Sequence, residues 1–156
     1  VFHEHDKEIR SKVQAALRNG IKPILCIGET AHERAASETT DVIHDQLLGG
    51  LANVTSEEFD NVVIAYEPVW AIGTGVSATP DDVKKAVRAI RRQIEHLYGK
   101  KAADGVRVLY GGSVNGDNEG TYLKSEGVDG LLVGGASLHK HQFEAITTAA
   151  HGLEEV

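Results

Sequence analysis

The stretch AYEPVWAIGTG, Ala65–Gly75, sets one carboxylate between an apolar strand and a loop that opens on proline and closes on glycine. Before it, Val62, Val63, Ile64 and Ala65 form a short apolar run after the turn-like Phe59-Asp60-Asn61. A run without alternation reads as a strand buried on both faces, as in a parallel sheet. Glu67 then falls at the C-terminal end of that strand, and Pro68 stops the ladder by removing a backbone donor. That end of a barrel strand is where barrel enzymes carry their chemistry. A strand-end carboxylate can also be satisfied by a nearby N–H or lysine and do nothing more. The loop weighs against so plain a role. Val69, Trp70 and Ile72 are costly to display on a surface loop, and they make sense if the loop closes over something.

Outward from this stretch, a strand–helix unit repeats. Ile21–Ile27 is an apolar run ending in Gly28-Glu29-Thr30, followed by a helical pattern over about 37–51. Asn61–Ala65 is the second run. Its helix has Thr79 as N-cap, Pro80 in the first turn, Asp81 and Asp82 at the positive end of the dipole, and Gly99 as its stop. Val106–Tyr110 and Gly130–Val133 are the third and fourth runs, followed by helices near 118–125 and 141–150. A further helix is expected over 3–19, ahead of the first strand. Strands alternating with helices in this way give crossover connections and a parallel sheet. No linker or charge block divides the chain, so residues 1–156 read as a single domain or part of one.

Composition narrows the function classes. The formal charge of −7 gives a nucleic acid or an anionic membrane no global attraction. No apolar run reaches the roughly 20 residues of a membrane span. Cys26 is the sole cysteine, which excludes a disulfide framework and favours a reducing, cytoplasmic compartment. There is no methionine, and the chain opens with Val1 on the approach to a helix. That reads as a chain beginning partway through a larger fold.

The distinctive residues Glu29, Glu67, Gly112-Ser113 and Gly134-Gly135 all follow strand ends on one side, where parallel strands converge their ligand-binding loops. Glycine corners can be mere tight turns. Two on consecutive strand ends, each with a serine close behind, read instead as backbone N–H groups arranged for a phosphate. Eight histidines invite a metal site, but His3/His5 and His139/His141 are spaced i, i+2 and do not share a helix face. No metal and no cofactor are expected. The basic residues Lys84, Lys85, Arg88, Arg91 and Arg92 follow the polar stripe of one helix and read as a solvated face.

The runs PILCIGET (Pro23–Thr30), AYEPVWAIGTG (Ala65–Gly75), VLYGGSV (Val108–Val114) and VDGLLVGGASL (Val128–Leu138) together resemble the triosephosphate isomerase family, in its order and near its spacing. The resemblance implies an α/β fold, a (β/α)₈ TIM barrel, of which this chain would supply strands five to eight. It implies interconversion of dihydroxyacetone phosphate and glyceraldehyde 3-phosphate, in glycolysis and gluconeogenesis, by a homodimer without nucleic-acid or membrane partners. Glu67 matches the family's catalytic base. Gly73, Ser113, Gly134 and Gly135 match its phosphate binders. Pro68, Val69, Trp70, Ala71, Ile72, Thr74, Gly75 and Val76 match its mobile lid, with Val76-Ser77-Ala78 as the far hinge. Glu29 and Trp70 match a pair that engages when the lid opens, and Tyr110 matches the latch of the closed lid near Ala78. The family's electrophilic histidine, in a Gly-His-Ser-Glu-Arg-Arg run, has no counterpart here, and none of the eight histidines has a strand-end context to replace it. Its substrate-neutralising asparagine and lysine and its dimer loop are absent too. The expectation is a partial barrel, inactive alone, whose partner is the barrel's N-terminal half. The competing readings are a non-enzymatic half-barrel that binds phosphate or self-assembles, and another phosphate-binding barrel enzyme sharing only the glycine corners.

Overall fold

A backbone breaker bounds each of the first three strands. In the computed structural model, which describes residues 4–152, β1 (Ile24–Ile27) starts after Pro23 and stops at Gly28. β2 (Val63–Tyr66) stops at Glu67-Pro68, and β3 (Arg107–Tyr110) at Gly111-Gly112. β4 is the two-residue Gly130–Leu131. All pairings are parallel, in the order β1-β2-β3-β4. Eight helices accompany them among the described residues: α1 (Asp6–Arg18), α2 (Ala31–Ala35), α3 (Thr39–Gly50), α4 (Ser56–Phe59), α5 (Pro80–Tyr98), α6 (Lys100–Gly105), α7 (Glu119–Leu123) and α8 (Lys140–His151).

Register decides what each face of the sheet meets. Leu25, Ile64 and Val108 form one row and Ile27, Tyr66 and Tyr110 the next. All six are buried against the helix layer, where α3 packs on β1 and α5 on β2. The alternate rows, Ile24-Val63-Arg107 and Cys26-Ala65-Leu109, point the other way. There only the central β2 members are buried, while Ile24 is 47% exposed and Cys26 and Arg107 are exposed. The helices therefore cover one face of the sheet and leave the other a trough open to solvent. The outer edges of β1 and β4 are unpaired among the described residues.

α5 follows its sequence signals closely. Thr79 accepts from the Asp82 N–H at 3.1 Å, the Asp82 carboxylate accepts from the Thr79 N–H at 3.1 Å, and Pro80 occupies the first turn. Val83, Ala86, Val87, Ile90 and Ile94 are buried on one stripe. Elsewhere the elements differ from expectation. The first strand loses 21–23, since Pro23 lacks a donor and Ile21 is 61% exposed. The first helix starts at Asp6, and His3 lies outside the described residues. α3 starts only at Thr39, because Ser37 takes φ 62°. β4 ends before Leu132. Three helices, α2, α4 and α6, were not expected. Two of them carry a capping box, Thr30 with Glu33 and Thr55 with Glu58, a four-residue signal that periodicity over longer windows does not sense.

Candidate active site

The loops that follow β2, β3 and β4 close around a cleft of about 540 Å³ whose lining includes Glu67, Gly73, Ser77, Ser113, Gly134 and Gly135. Strand alternation turns Glu67 toward the open trough, two residues beyond Ala65. Its backbone is fixed by its N–H, which donates to the Ile27 carbonyl at 2.7 Å. Two glycines make room for it. A Cβ on Gly28 would stand 2.1 Å from the Glu67 carbonyl oxygen, and one on Gly111 would stand 2.7 Å from both Cγ and Oε1 of Glu67. Gly28 is in turn clamped by Gln46 of α3, which accepts from its N–H at 2.8 Å and donates to its carbonyl at 3.2 Å. Below the carboxylate, Cys26 has its thiol pushed up to about 12. Enclosure by its neighbours contributes most, followed by the charge and hydrogen bonding of Glu67. The thiol is thus neutral beside the base. Gly28, Gln46 and Cys26 went unread in this role, although the Gly28 of CIGET was visible as a strand-end glycine.

The loop after Glu67 is tied down at both ends and displayed in between. Val69–Ala71 form a 3₁₀ turn. The Val69 N–H donates to the Glu29 carbonyl at 2.9 Å, and Trp70 Nε1 donates to Glu29 Oε1 at 2.9 Å. Glu29 is 1% exposed, and its carboxylate also accepts from the Tyr66 hydroxyl at 3.1 and 3.2 Å. Burial, then the Glu29 charge, drives the Tyr66 hydroxyl well above the usual phenol range, so it stays a donor. On the outer side the Arg34 guanidinium lies 3.7 Å over the Trp70 ring and pairs with Asp82 at 3.0 Å. The loop's root is thereby linked to the cap of α5. Its tip is different: Val69, Ile72 and Val76 are about half exposed, and Gly73 and Gly75 take φ 65° and 76°, a region that favours glycine.

At the far end of the loop, the Ala78 N–H donates to the Tyr110 hydroxyl at 3.3 Å, and the Tyr122 hydroxyl donates to the Ala78 carbonyl at 2.9 Å. The two rings are 4.4 Å apart. Tyr122 gave no sequence signal beyond an aromatic in a short helix. Gly112 is needed beside this pair, since a Cβ there would stand 2.1 Å from the Tyr110 hydroxyl oxygen. Ser113 and the loop are joined twice, by Ser77 Oγ donating to the Ser113 carbonyl at 3.2 Å and Ser113 Oγ donating to the Ala71 carbonyl at 2.9 Å.

Beyond β4, Gly134 leads into a 3₁₀ turn, Gly135–Leu138. The Ser137 N–H and Oγ both donate to the Gly134 carbonyl, at 2.9 and 2.7 Å. The amides that open such a turn have no partner inside it. One carboxylate and a set of backbone N–H groups at a solvent-facing cleft can move a proton on an anion-bearing small molecule.

The family model for triosephosphate isomerase matches residues 1–150. The chain belongs to the triosephosphate isomerase family. It is 48% identical over 150 residues to the triosephosphate isomerase of Symbiobacterium thermophilum, covering 96% of this chain and 59% of that relative. It is 51% identical over 137 residues to that of Saccharomyces cerevisiae, covering 88% of this chain and 54% of the relative. The chain thus spans less than two thirds of the relatives' length, and its four parallel strands are half the number in the family's (β/α)₈ barrel. Two contacts that the resemblance assigns to opposite positions of the triosephosphate isomerase lid, Trp70 to Glu29 and Ala78 to Tyr110, are both present in this structure.

Two sequence readings need correction. Arg91 is not part of a solvated stripe. It donates to the carbonyls of Ala103, Val106 and Gly127 and pairs with Asp129 at 2.7 Å. Asp129 also accepts from the Val108 N–H at 2.7 Å, so Arg91 fastens the far ends of β3 and β4. And one histidine, His139, does line the Glu67 cleft, just past the 3₁₀ turn Gly135–Leu138. Among the described residues no three His, Cys, Asp or Glu side chains gather as a metal site, and no helix is long and apolar enough to cross a membrane.

Proposed function

We propose that the chain is the base-, lid- and phosphate-bearing part of a triosephosphate isomerase that interconverts dihydroxyacetone phosphate and glyceraldehyde 3-phosphate. The observation that carries this reading is the shared cleft: Glu67 and the glycine corners at 73, 111–112 and 134–135 line one cavity. Glu67 removes a proton from the carbon next to the substrate carbonyl and returns it to the adjacent carbon. The amides at Gly73, Ser113, Gly134 and Gly135 hold the phosphate, so that the two carbons are offered to one carboxylate in turn. Closure of the Pro68–Val76 loop, hinged at Val76-Ser77-Ala78, brings Ile72 and its neighbours over the intermediate and excludes water. Polarising the carbonyl needs a further electrophile, for which the family uses a neutral histidine. On this reading that group stands on the four remaining βα units, and residues 1–156 are one part of a barrel domain. A homodimeric whole enzyme and a cytoplasmic location belong to the same proposal.

The test is reconstitution. Co-refolding the chain with the N-terminal portion of its Saccharomyces cerevisiae relative should yield isomerase turnover that neither piece shows alone. Glu67→Gln should lower that turnover by about 10² to 10⁴, the usual contribution of a positioned base. A reconstituted barrel in which Glu67→Gln turns over at the parent rate would overturn the assignment.

A further inference from the structure

We propose that Asn115 is a site of spontaneous modification in the Glu67 cleft, where attack by the Gly116 nitrogen converts its side-chain amide to a carboxylate and weakens the cleft's hold on an anion. The chemical step stands on this chain's residues alone, and its consequence rests on the phosphate reading given above. The chain holds two Asn-Gly pairs, Asn19-Gly20 and Asn115-Gly116. Glycine after asparagine leaves the attacking nitrogen unshielded by a side chain. The Gly116 nitrogen gives its proton to hydroxide and bonds to Asn115 Cγ, the Cγ–Nδ2 bond breaks, and ammonia leaves a five-membered succinimide. Water then opens that ring at either carbonyl. The products are aspartate and isoaspartate, the latter with one extra methylene in the main chain.

Only one of the two pairs is arranged for this reaction. Asn115 is exposed, and the Gly116 N–H makes no hydrogen bond among the described residues. Asn115 Oδ1 accepts from the Asp117 N–H at 2.9 Å. That bond folds the side chain over the intervening Gly116 peptide and sets a donor on the oxygen where negative charge develops. Asn19-Gly20 is the reverse case. Asn19 Nδ2 donates to the Ala15 carbonyl at 2.8 Å and the Gly20 N–H to the Leu17 carbonyl at 3.0 Å, so leaving group and nucleophile are both committed. Asn115 also sits where the change matters, since it lines the cleft with Glu67, Ser113 and Gly134. Asn118 bridges it to Ser113, accepting from the Asn115 N–H at 2.9 Å and donating to the Ser113 carbonyl at 2.9 Å. A carboxylate at position 115 repels a dianion in the cleft, and an isoaspartyl link lengthens the main chain inside that bridge.

Peptide mass spectrometry of the whole chain, held in warm, mildly alkaline buffer, reads the gain of one mass unit and separates aspartate from isoaspartate. The folded chain should gain it at Asn115 about tenfold faster than at Asn19, the factor set by the two hydrogen bonds that Asn19-Gly20 must break. In urea the two pairs should react alike. Asn115→Gln, whose longer side chain closes a six-membered ring only reluctantly, should stay unmodified at that position. Sulfate is the anion probe, followed by equilibrium dialysis. Asn115→Asp should bind it about fivefold more weakly than Asn115→Gln, the effect of one solvent-facing charge. Asn19 reacting as fast as Asn115 in the folded chain, or no mass gain at either, overturns the modification site. Equal sulfate binding by the two variants overturns its consequence. No sulfate binding by the parent chain overturns the phosphate reading, while the mass gain at Asn115 still decides the modification.

Discussion

Two glycines that look alike in the sequence differ at the atomic level in what they protect. An alanine methyl at Gly28 would meet backbone, the Glu67 carbonyl, at 2.1 Å, whereas at Gly111 it would meet the movable end of the Glu67 side chain at 2.7 Å. Gly28→Ala must therefore shift a strand end, and it is expected to cost about 1–3 kcal/mol in urea unfolding, as overpacking does. Gly111→Ala should leave the unfolding midpoint near the parent value while lowering turnover of the reconstituted enzyme, because the carboxylate is displaced. Equal loss of stability in the two variants would mean that the side chain of Glu67 is as fixed as its backbone. Cys26 offers a second test of the same few ångströms. It is exposed, yet its thiol is pushed up to about 12 by its surroundings and by Glu67, so at neutral pH it holds far less thiolate than an ordinary cysteine. Alkylation at pH ~8 should be correspondingly slow. Glu67→Gln should accelerate it only in part, since enclosure contributes more than the carboxylate.

At the scale of elements, the loop after β2 is a movable span between two anchors, Glu29 at its root and the Tyr110–Tyr122 pair at its far hinge. Tyr122→Phe removes the donor to the Ala78 carbonyl while keeping the ring. The expected loss is about 1 kcal/mol of stability, together with faster hydrogen exchange confined to 72–78. Exchange that rises throughout α7 instead would show the hydroxyl to be a support of its own helix. Thr79→Ala should likewise cost about 1 kcal/mol, since it deletes the cap of α5. These elements also show how much of the molecule the sequence made legible. α5 could be read from Thr79 to Gly99 because cap, proline, apolar stripe and terminal glycine agree. The four strands could be located because parallel strands are short apolar runs. Their true ends were hidden, because pairing partners and neighbouring φ values set them. At the site, Glu67 and the glycine corners were legible as types at strand ends. Gln46, Tyr122 and His139 were not, since each reaches its place through a tertiary turn or a neighbouring helix that no local pattern encodes.

Across the whole molecule, the sheet has two unlike faces. The helix side is a closed core in which Ile43, Leu47, Ile64, Ile90, Ile94 and Val108 are fully buried. The trough side carries Ile24 and Cys26, both exposed, and Leu109, half-buried, and both outer strands present unpaired edges among the described residues. Unpaired edges template further strands, and an open apolar face favours association. The charge of −7 opposes this only at long range, and at ~0.15 M salt its reach falls to about 8 Å. Residues 1–156 in isolation are therefore expected to self-associate at micromolar concentration and to bind a hydrophobic dye, with dye binding suppressed when the remaining βα units are supplied. Ile24→Lys, placed on the exposed trough face, should lower both association and dye binding without lowering the melting temperature, because it touches no part of the helix-side core. Sedimentation showing a compact monomer that melts cooperatively and binds no dye would be incompatible with an open trough. In that case the helices must repack across both faces of the sheet, and Glu67 would lose the solvent-facing cleft on which its role as a base depends.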